Sequence, residues 1–351
     1  MLVRSATDTD RFKWDAFVSA HEQSSPYHLW AWKEAVETAY GHRGHYLIAE
    51  EYGEVAGVLP MVLMEFPLIY RQAVSLPFCD VGGILAANDE AGRQLVTEAL
   101  AHCRNIKAGS LELRSHDEAA PLPAEEHCTA RSDKVSMLLD LPAGSESLWD
   151  KFKSKLRSQI RKAEKNGLVF KWGEKEDRDD FYAVFSRNMR ELGSPVHSRC
   201  WIAAVLDNFG ANARMGLVCK DELPIGAGII LSNGKTVSIP WASTLRDYNQ
   251  LSPNMLLYWN FLRYAADSGH GCFDFGRSTF GEGTYKFKAQ WGAEPKRLHW
   301  HTVHFAARPR ESGIADGTPG HDRQRLALLW SKLPLFAANL FGPLLRRHVS
   351  L

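Results

Sequence analysis

Residues 273–292 read FDFGRSTFGEGTYKFKAQWG, and they crowd an acid, an arginine and two lysines between aromatic rings. On a strand, Asp274 points away from both Phe273 and Phe275. Beside Arg277, such an acid is either half of a structural ion pair or an acid/base group with its orienter. In TYKFKAQWG, helical spacing sets Phe287 and Trp291 on one face, Lys286 and Gln290 on a second, and Thr284 and Lys288 on a third. A lysine held near a reacting carbonyl stabilises developing negative charge, and one held near a diphosphate grips it. The stretch predicts a core strand (FDF), a loop at its mouth carrying Arg277 and Ser278, and a short helix anchored by Phe287 and Trp291.

Three other stretches carry candidate groups. In residues 149–167 (WDKFKSKLRSQIRKAEKNG), Trp149, Phe152, Leu156, Ile160 and Ala163 recur at helical steps and predict one buried stripe. Ser147 and Asp150 suggest a capping box, and Gly167 a left-handed cap. The opposite face holds Lys151, Lys153, Lys155, Arg157, Arg161, Lys162 and Lys165. That face is either solvated or built to meet phosphate or carboxylate groups. Segment 186–198 (SRNMRELGSPVHS) places Asn188 on a helix that ends at Gly193. In 239–259 (IPWASTLRDYNQLSPNMLLYW), a strand ends near Trp241 and a polar loop holds Tyr248. Pro253 then opens a helix with Asn254 and Tyr258 on one face. Aromatic and amide groups beside a strand end suit a polar, extended ligand, although Trp241 and Tyr258 also fit a core.

The elements that must position these groups follow from periodicity. Helices are predicted over 10–20, 28–40, 88–107, 146–166, 177–192, 198–208 and 253–268. HYLIAEEYGEVAGVLPMVLM reads as two strands joined by a Tyr-Gly turn, and QAVSLPF and GGILAA as a further pair. LELRS, KVSMLLDLP, RMGLVCKD, PIGAGIILSNG, TVSIPWAS, CFDFG and RLHWHTVHFA complete the strands. Each half is helices, a strand meander, then a helix and a strand. The class is therefore α/β (α+β), a mixed layer written twice, with boundaries expected at 1–142, 143–307 and 308–351. The last span is a linker (308–322) and a helical tail.

With 351 residues, two domains are the default. A net charge of +1 gives no global attraction to nucleic acid or anionic membrane, so any such attraction must be local. The six cysteines form no CxxC pair and read as reduced thiols. The N-terminus lacks an apolar signal region, so a cytoplasmic location is expected. LALLWSKLPLFAANLFGPLL is apolar but interrupted, so it packs on the protein or rests at a membrane surface instead of spanning. His299 and His301 share a strand face, yet no carboxylate or cysteine nearby completes a metal site. The absence of GxSxG, GxxxxGK[ST], GxGxxG and HExxH argues against the matching hydrolase, P-loop, dinucleotide-binding and zincin readings.

Taken together, KLRSQIRKAEKNGL, NMRELGSP, IPWASTLRDYNQLSPNMLLYW, FDFGRS and GTYKFKAQWGA resemble the FemAB family, and within it the branch associated with PEP-CTERM/exosortase and exopolysaccharide loci. The likeness is densest over 134–300. It implies two tandem GNAT-like (acyl-CoA N-acyltransferase) domains and transfer of an acyl or aminoacyl group to an amine of a peptidoglycan, cell-envelope or exopolysaccharide precursor. YKFKAQWG matches the family's KFKxxFG element, with Trp291 in place of Phe. The match implies that Lys286 and Lys288 bind precursor phosphate or polarise a carbonyl. No long coiled-coil insertion is present, so both aminoacyl-tRNA and acyl-CoA stand as the activated donor. No tightly bound cofactor or metal is expected. Asp274, Lys286 and Lys288 are the catalytic candidates. Arg157, Arg161, Asn188, Trp241, Tyr248, Asn254, Arg277 and Ser278 are the binding candidates. Expected partners are a small or lipid-linked envelope precursor, tRNA, and a membrane surface met by the tail. A non-catalytic GNAT-like binding module is the rival reading.

Overall fold

A computed structural model describes residues 1–66, 70–118, 120–124, 126–305 and 320–351, without the side chains of 320–323. The predicted linker therefore falls almost wholly outside the described residues. The chain forms two compact units. The first comprises Met1–Val135, Lys296–Pro319 and Arg347–Leu351, and the second Ser136–Pro295 and Gly320–Arg346.

In the first unit, β1 (Leu2–Ser5), α1 (Arg11–Ala20) and α2 (Trp30–Tyr40) precede the hairpin β2 (Leu47–Glu51) and β3 (Glu54–Leu59). Next come β4 (Val62–Phe66), β5 (Tyr70–Val74), β6 (Leu85–Ala86), α3 (Asp89–Asn105), β7 (Ser110–Ser115) and β8 (Cys128–Arg131), and then β9 (Lys134–Asp140), most of which belongs to the second unit and its sheet. The expected strand pairing is corrected here. LPMVLM leaves the hairpin at Pro60 and pairs as β4 with β5, while β6 pairs with β3 and not with β5. Two sheets result, β1-β2-β3-β6 and β4-β5-β7-β16-β8, the latter with β16 (His299–His304) between β7 and β8. α3 is capped by the Asn88 side chain, which accepts from the Ala91 N–H at 2.9 Å. It buries Leu95, Val96, Ala99, Leu100 and Cys103 against Leu47, Leu59, Leu111 and Val303. The periodicity of residues 88–107 predicts that face.

His28 in this unit is 1% exposed. Its Nδ1 accepts from the Ser25 N–H at 3.1 Å and its Nε2 lies 3.2 Å from the Gly83 carbonyl. The neutral ring with its proton on Nε2 satisfies both contacts. Burial pushes the pKa down to about 4. The unfolded chain therefore takes up the proton first, and the stability present above pH ~6.5 is lost as the pH falls toward 4. A loss of about 3 kcal/mol is expected across that window. The urea midpoint followed against pH should show it, and His28→Gln should flatten that part of the curve. An equal slope in both proteins would contradict a neutral buried His28.

The second unit continues with α4 (Ser145–Lys151), α5 (Ser154–Lys165), β10 (Leu168–Gly173), α6 (Arg178–Glu191), α7 (Arg199–Phe209), β11 (Ala213–Lys220), β12 (Leu223–Asn233) and β13 (Thr236–Thr244). α8 (Pro253–Asp267), β14 (Cys272–Thr279), α9 (Gly283–Ala289) and β15 (Glu294–Arg297) follow, and then the tail helices α10 (Gly320–Ser331) and α11 (Leu335–Arg346). The sheet order is β10-β11-β12-β13-β14-β9-β15. The single helix expected over 146–166 is instead two. Phe152 is extended (φ −72°, ψ 140°), and its ring packs on Trp149, Trp259 and Trp291 at centroid distances of 6.4, 5.8 and 5.6 Å. Burying that ring outweighs continuing the helix. The capping box is corrected as well: α4 starts at Ser145, whose N–H and hydroxyl both bond Asp267. Leu156, Ile160 and Ala163 are buried as predicted.

Trp241 and Gly228 show how the sheet is covered. Adjacent strand residues face opposite sides. Gly228 lies under the Phe261 ring of α8, where an added Cβ would come within 2.7 Å of it. Trp241 pairs with Ile229 and so faces the other side. There it packs against Phe185 of α6, His197, and Trp201 of α7.

Candidate functional site

β13 and β14 are parallel, but they pair only from Thr236↔Cys272 to Ser238↔Asp274. Sequence explains the stop on both sides. Pro240 has no N–H, and it sits where the β12–β13 register shifts between the Ile229 and Leu231 pairs. On β14, Gly276 adopts φ +75°, a left-handed value that favours glycine. The chain therefore bends just where the ladder ends. Residues 241–244 of β13 stay paired to β12 and lie outside the β13–β14 ladder.

Asp274 and Lys288 hold that bend. The Asp274 carboxylate accepts from the Gly276 N–H at 2.8 Å. The Lys288 ammonium donates to the carbonyls of Gly276 and Arg277 at 3.0 and 2.8 Å. Both residues are 8% exposed. The helix bearing Lys288 is docked by Trp291, whose ring meets Phe152, Tyr258 and Phe287.

A cavity of about 200 Å³ is lined by Asn188, Ala242, Ser243, Thr244, Asn254, Leu257, Tyr258 and Phe287. It lies at the rim of the sheet and takes groups from both faces. Asn188 of α6 donates to Ser243 Oγ at 3.1 Å. Ser243 shares the face of Trp241, while Ala242 and Thr244 face α8. α8 supplies Asn254 and Tyr258 from its first turns, and its N-cap Ser252 makes no side-chain cap bond. Tyr258 stacks on Phe275 (5.6 Å, 14°). Burial pushes its hydroxyl pKa well above the usual tyrosine value, so it remains a proton donor at neutral pH.

Of the residues expected from sequence, the structure brings Asn188 and Asn254 to this cavity. Arg277 and Ser278 belong to β14 and not to a loop, because the strand runs on to Thr279. Ser278 is 4% exposed, and its hydroxyl has no hydrogen-bond partner. Trp241 sits in the aromatic cluster beneath α6, away from the lining. Tyr248 lies half-buried on a short 3-10 turn, Arg246–Leu251. Lys286 is exposed, as is Arg161, whose guanidinium lies 5.4 Å from the Trp149 ring centroid, and Arg157 is half-buried. Ser243, Thr244 and Phe287 are lining residues that sequence reasoning did not place there. Pro240, two residues before the polar run ASTL, was the available signal. Among the described residues, no group of three or more His, Cys, Asp or Glu is placed to hold a metal ion.

Residues 150–289 match the family model of the acetyltransferase (GNAT) domain, a span containing the whole cavity lining. FemX has a crystal structure similar to this chain, with 15% identity, a TM-score of 0.71, and 86% of this chain and 97% of that one covered. L-PGS from Bacillus licheniformis matches at 11% identity and TM-score 0.56, covering 92% and 98%. A tandem GNAT protein from the clavulanic acid biosynthesis pathway matches at 12% and 0.53, covering 88% and 99%. The fold is tandem GNAT with a helical tail. No curated protein matches the chain at a significant level.

Proposed function

We propose that the chain is a FemAB-like acyl or aminoacyl transferase that carries an activated acyl group to an amine of a cell-envelope or exopolysaccharide precursor. The observation that carries this reading is the divergence of β13 from β14 beside the start of α8, which opens a polar-lined cavity. A donor carbonyl seated there meets Asn254, Tyr258 and the β13 backbone beyond Ser238. These groups would stabilise the oxyanion formed when the amine attacks the acyl carbon. The amine nitrogen loses a proton and the leaving thiolate or ribose oxygen gains one, so Tyr258, held protonated by burial, would donate to the leaving group and recover its proton from the amine. The start of α8 favours negative charge on the donor. Asp274 and Lys288 serve the reaction by holding the bend at Gly276. Lys286 and Arg161, both exposed, and the half-buried Arg157 would offer positive charge to phosphate of donor or acceptor. The solved relatives add support through their names, one of which places a tandem GNAT protein in a biosynthetic pathway.

The test is to supply acyl-CoA and aminoacyl-tRNA separately and to follow transfer to amines or donor hydrolysis. Asn254→Ala and Tyr258→Phe are each expected to lower turnover about 10²-fold, the usual effect of losing one oxyanion or proton donor. Activity unchanged in both variants would remove the cavity from the mechanism. A wild-type chain that binds neither donor would favour the binding-module reading.

A further inference from the structure

α11 meets α6 and the loop that follows it through small residues. Ala338 and Gly342 are buried, and a Cβ on Gly342 would lie 3.0 Å from the Val196 nitrogen. The other side of α11 carries Phe336, Leu340, Phe341, Leu344 and Leu345, spaced to share one face. All five are exposed, Phe336 to 76% and Leu340 to 62%. α10 adds Leu326, Leu328 and Leu329, at 53%, 62% and 64%. A helix packed on a protein ordinarily turns its large apolar residues inward. On α11 small residues pack and large ones face out, and an exposed apolar face of this kind marks a binding surface.

Charge and length identify what covers it. From Gly320 to Leu351 the sequence holds Arg323, Arg325, Lys332, Arg346 and Arg347 against the single acid Asp322, in a chain with 42 basic and 41 acidic residues overall. Arg325 and Lys332 are exposed. Arg346 and Arg347 are half-buried and bond His197 and the Tyr40 carbonyl, so the exposed charge beside the apolar residues is that of Arg325 and Lys332, which is complementary to an anionic lipid surface. Each helix has 12 residues, about 18 Å, against a hydrocarbon core of about 30 Å. Pro334 separates the two helices and Pro343 lies within the second. No helix among the described residues is long and apolar enough to cross a membrane.

We propose that α10 and α11 form an interfacial anchor that lays its exposed leucines and phenylalanines into the headgroup boundary of an anionic phospholipid bilayer. α6 touches both tail helices and carries Asn188 into the cavity. Docking therefore brings the second unit to the surface where a lipid-borne acceptor is presented. Lipid binding is read directly, so it stands or falls separately from acyl transfer.

The full chain is mixed with phosphatidylcholine vesicles, with or without phosphatidylglycerol, and sedimented. Binding is expected with phosphatidylglycerol and is expected to fall at least about tenfold in Phe336→Glu/Phe341→Glu. Arg325→Glu/Lys332→Glu is expected to remove the preference for the anionic vesicles. Leu340→Ser, a milder change at an exposed position, should weaken binding in the same direction with an unchanged thermal midpoint. Three results would overturn the proposal: no vesicle binding by the wild type, equal binding by the phenylalanine variant, or a wild-type dimer that the phenylalanine variant dissolves without any vesicle binding. The last would identify a second copy as the occupant.

Discussion

Lys288→Met is expected to lower turnover about 100-fold while leaving the second unit folded. The substitution keeps much of the side chain's length and removes its charge. The Gly276 and Arg277 carbonyls, which now accept from the ammonium at 3.0 and 2.8 Å, would lose that donor in a partly buried setting. Leaving buried acceptors unpaired costs about 1–3 kcal/mol, or roughly 2–4 °C of melting temperature per kcal/mol for a unit of this size. The effect on rate is larger because the bend at Gly276 keeps β14 away from the β13 edge that borders the cavity. A misplacement of about 1 Å at a reacting centre can cost about 10²-fold. Single-turnover rates and a thermal midpoint together separate the two effects. Full turnover at a temperature where the variant is folded would show that the bend does not matter to the chemistry. Lys286→Ala is the control. Its exposed side chain should leave the midpoint in place, and its effect should fall on KM.

Trp291→Ala is expected to have the largest effect on stability, about 3–5 kcal/mol. The ring is 1% exposed and joins Phe152, Tyr258 and Phe287, so its removal leaves a cavity beneath α9. Denaturant unfolding measures this directly. Trp291→Phe should be far milder. The indole N–H is buried without a hydrogen-bond partner, so a phenyl ring loses some packing but also removes an unsatisfied donor. Equal losses in the two variants would mean that the indole shape itself is required. Phe287, half-buried and lining the cavity, should behave differently: Phe287→Ala should affect ligand binding more than stability.

Particular residues show where sequence reasoning ended. The buried face of α3, the Asn88 cap, the Tyr52-Gly53 turn, the start of α8 at Pro253 and the buried stripe of α5 were all legible. Each depends on neighbours within about one turn or one hairpin. The break at Phe152 was not legible, because Trp259 and Trp291, which draw that ring inward, lie more than a hundred residues away in sequence. The departure of LPMVLM to a second sheet was hidden for the same reason: strand partners are chosen by tertiary packing.

The site divides along the same line. Sequence by itself determined that Asp274 sits on a core strand between two buried phenylalanines, that Lys286 and Lys288 occupy different faces of a short helix, and that Asn254 and Tyr258 share a face of α8. Alternation and helical period are local properties of the chain, so they survive folding. Only the tertiary structure decided what those groups touch. The turn at Gly276 brings its N–H to Asp274, and its carbonyl with that of Arg277 to Lys288. The β13–β14 ladder ends at Ser238, and Asn188 of α6 meets Ser243 of β13 across 55 residues of chain. A hydrogen bond between distant segments depends on how whole layers pack, and no spacing rule within a segment encodes it.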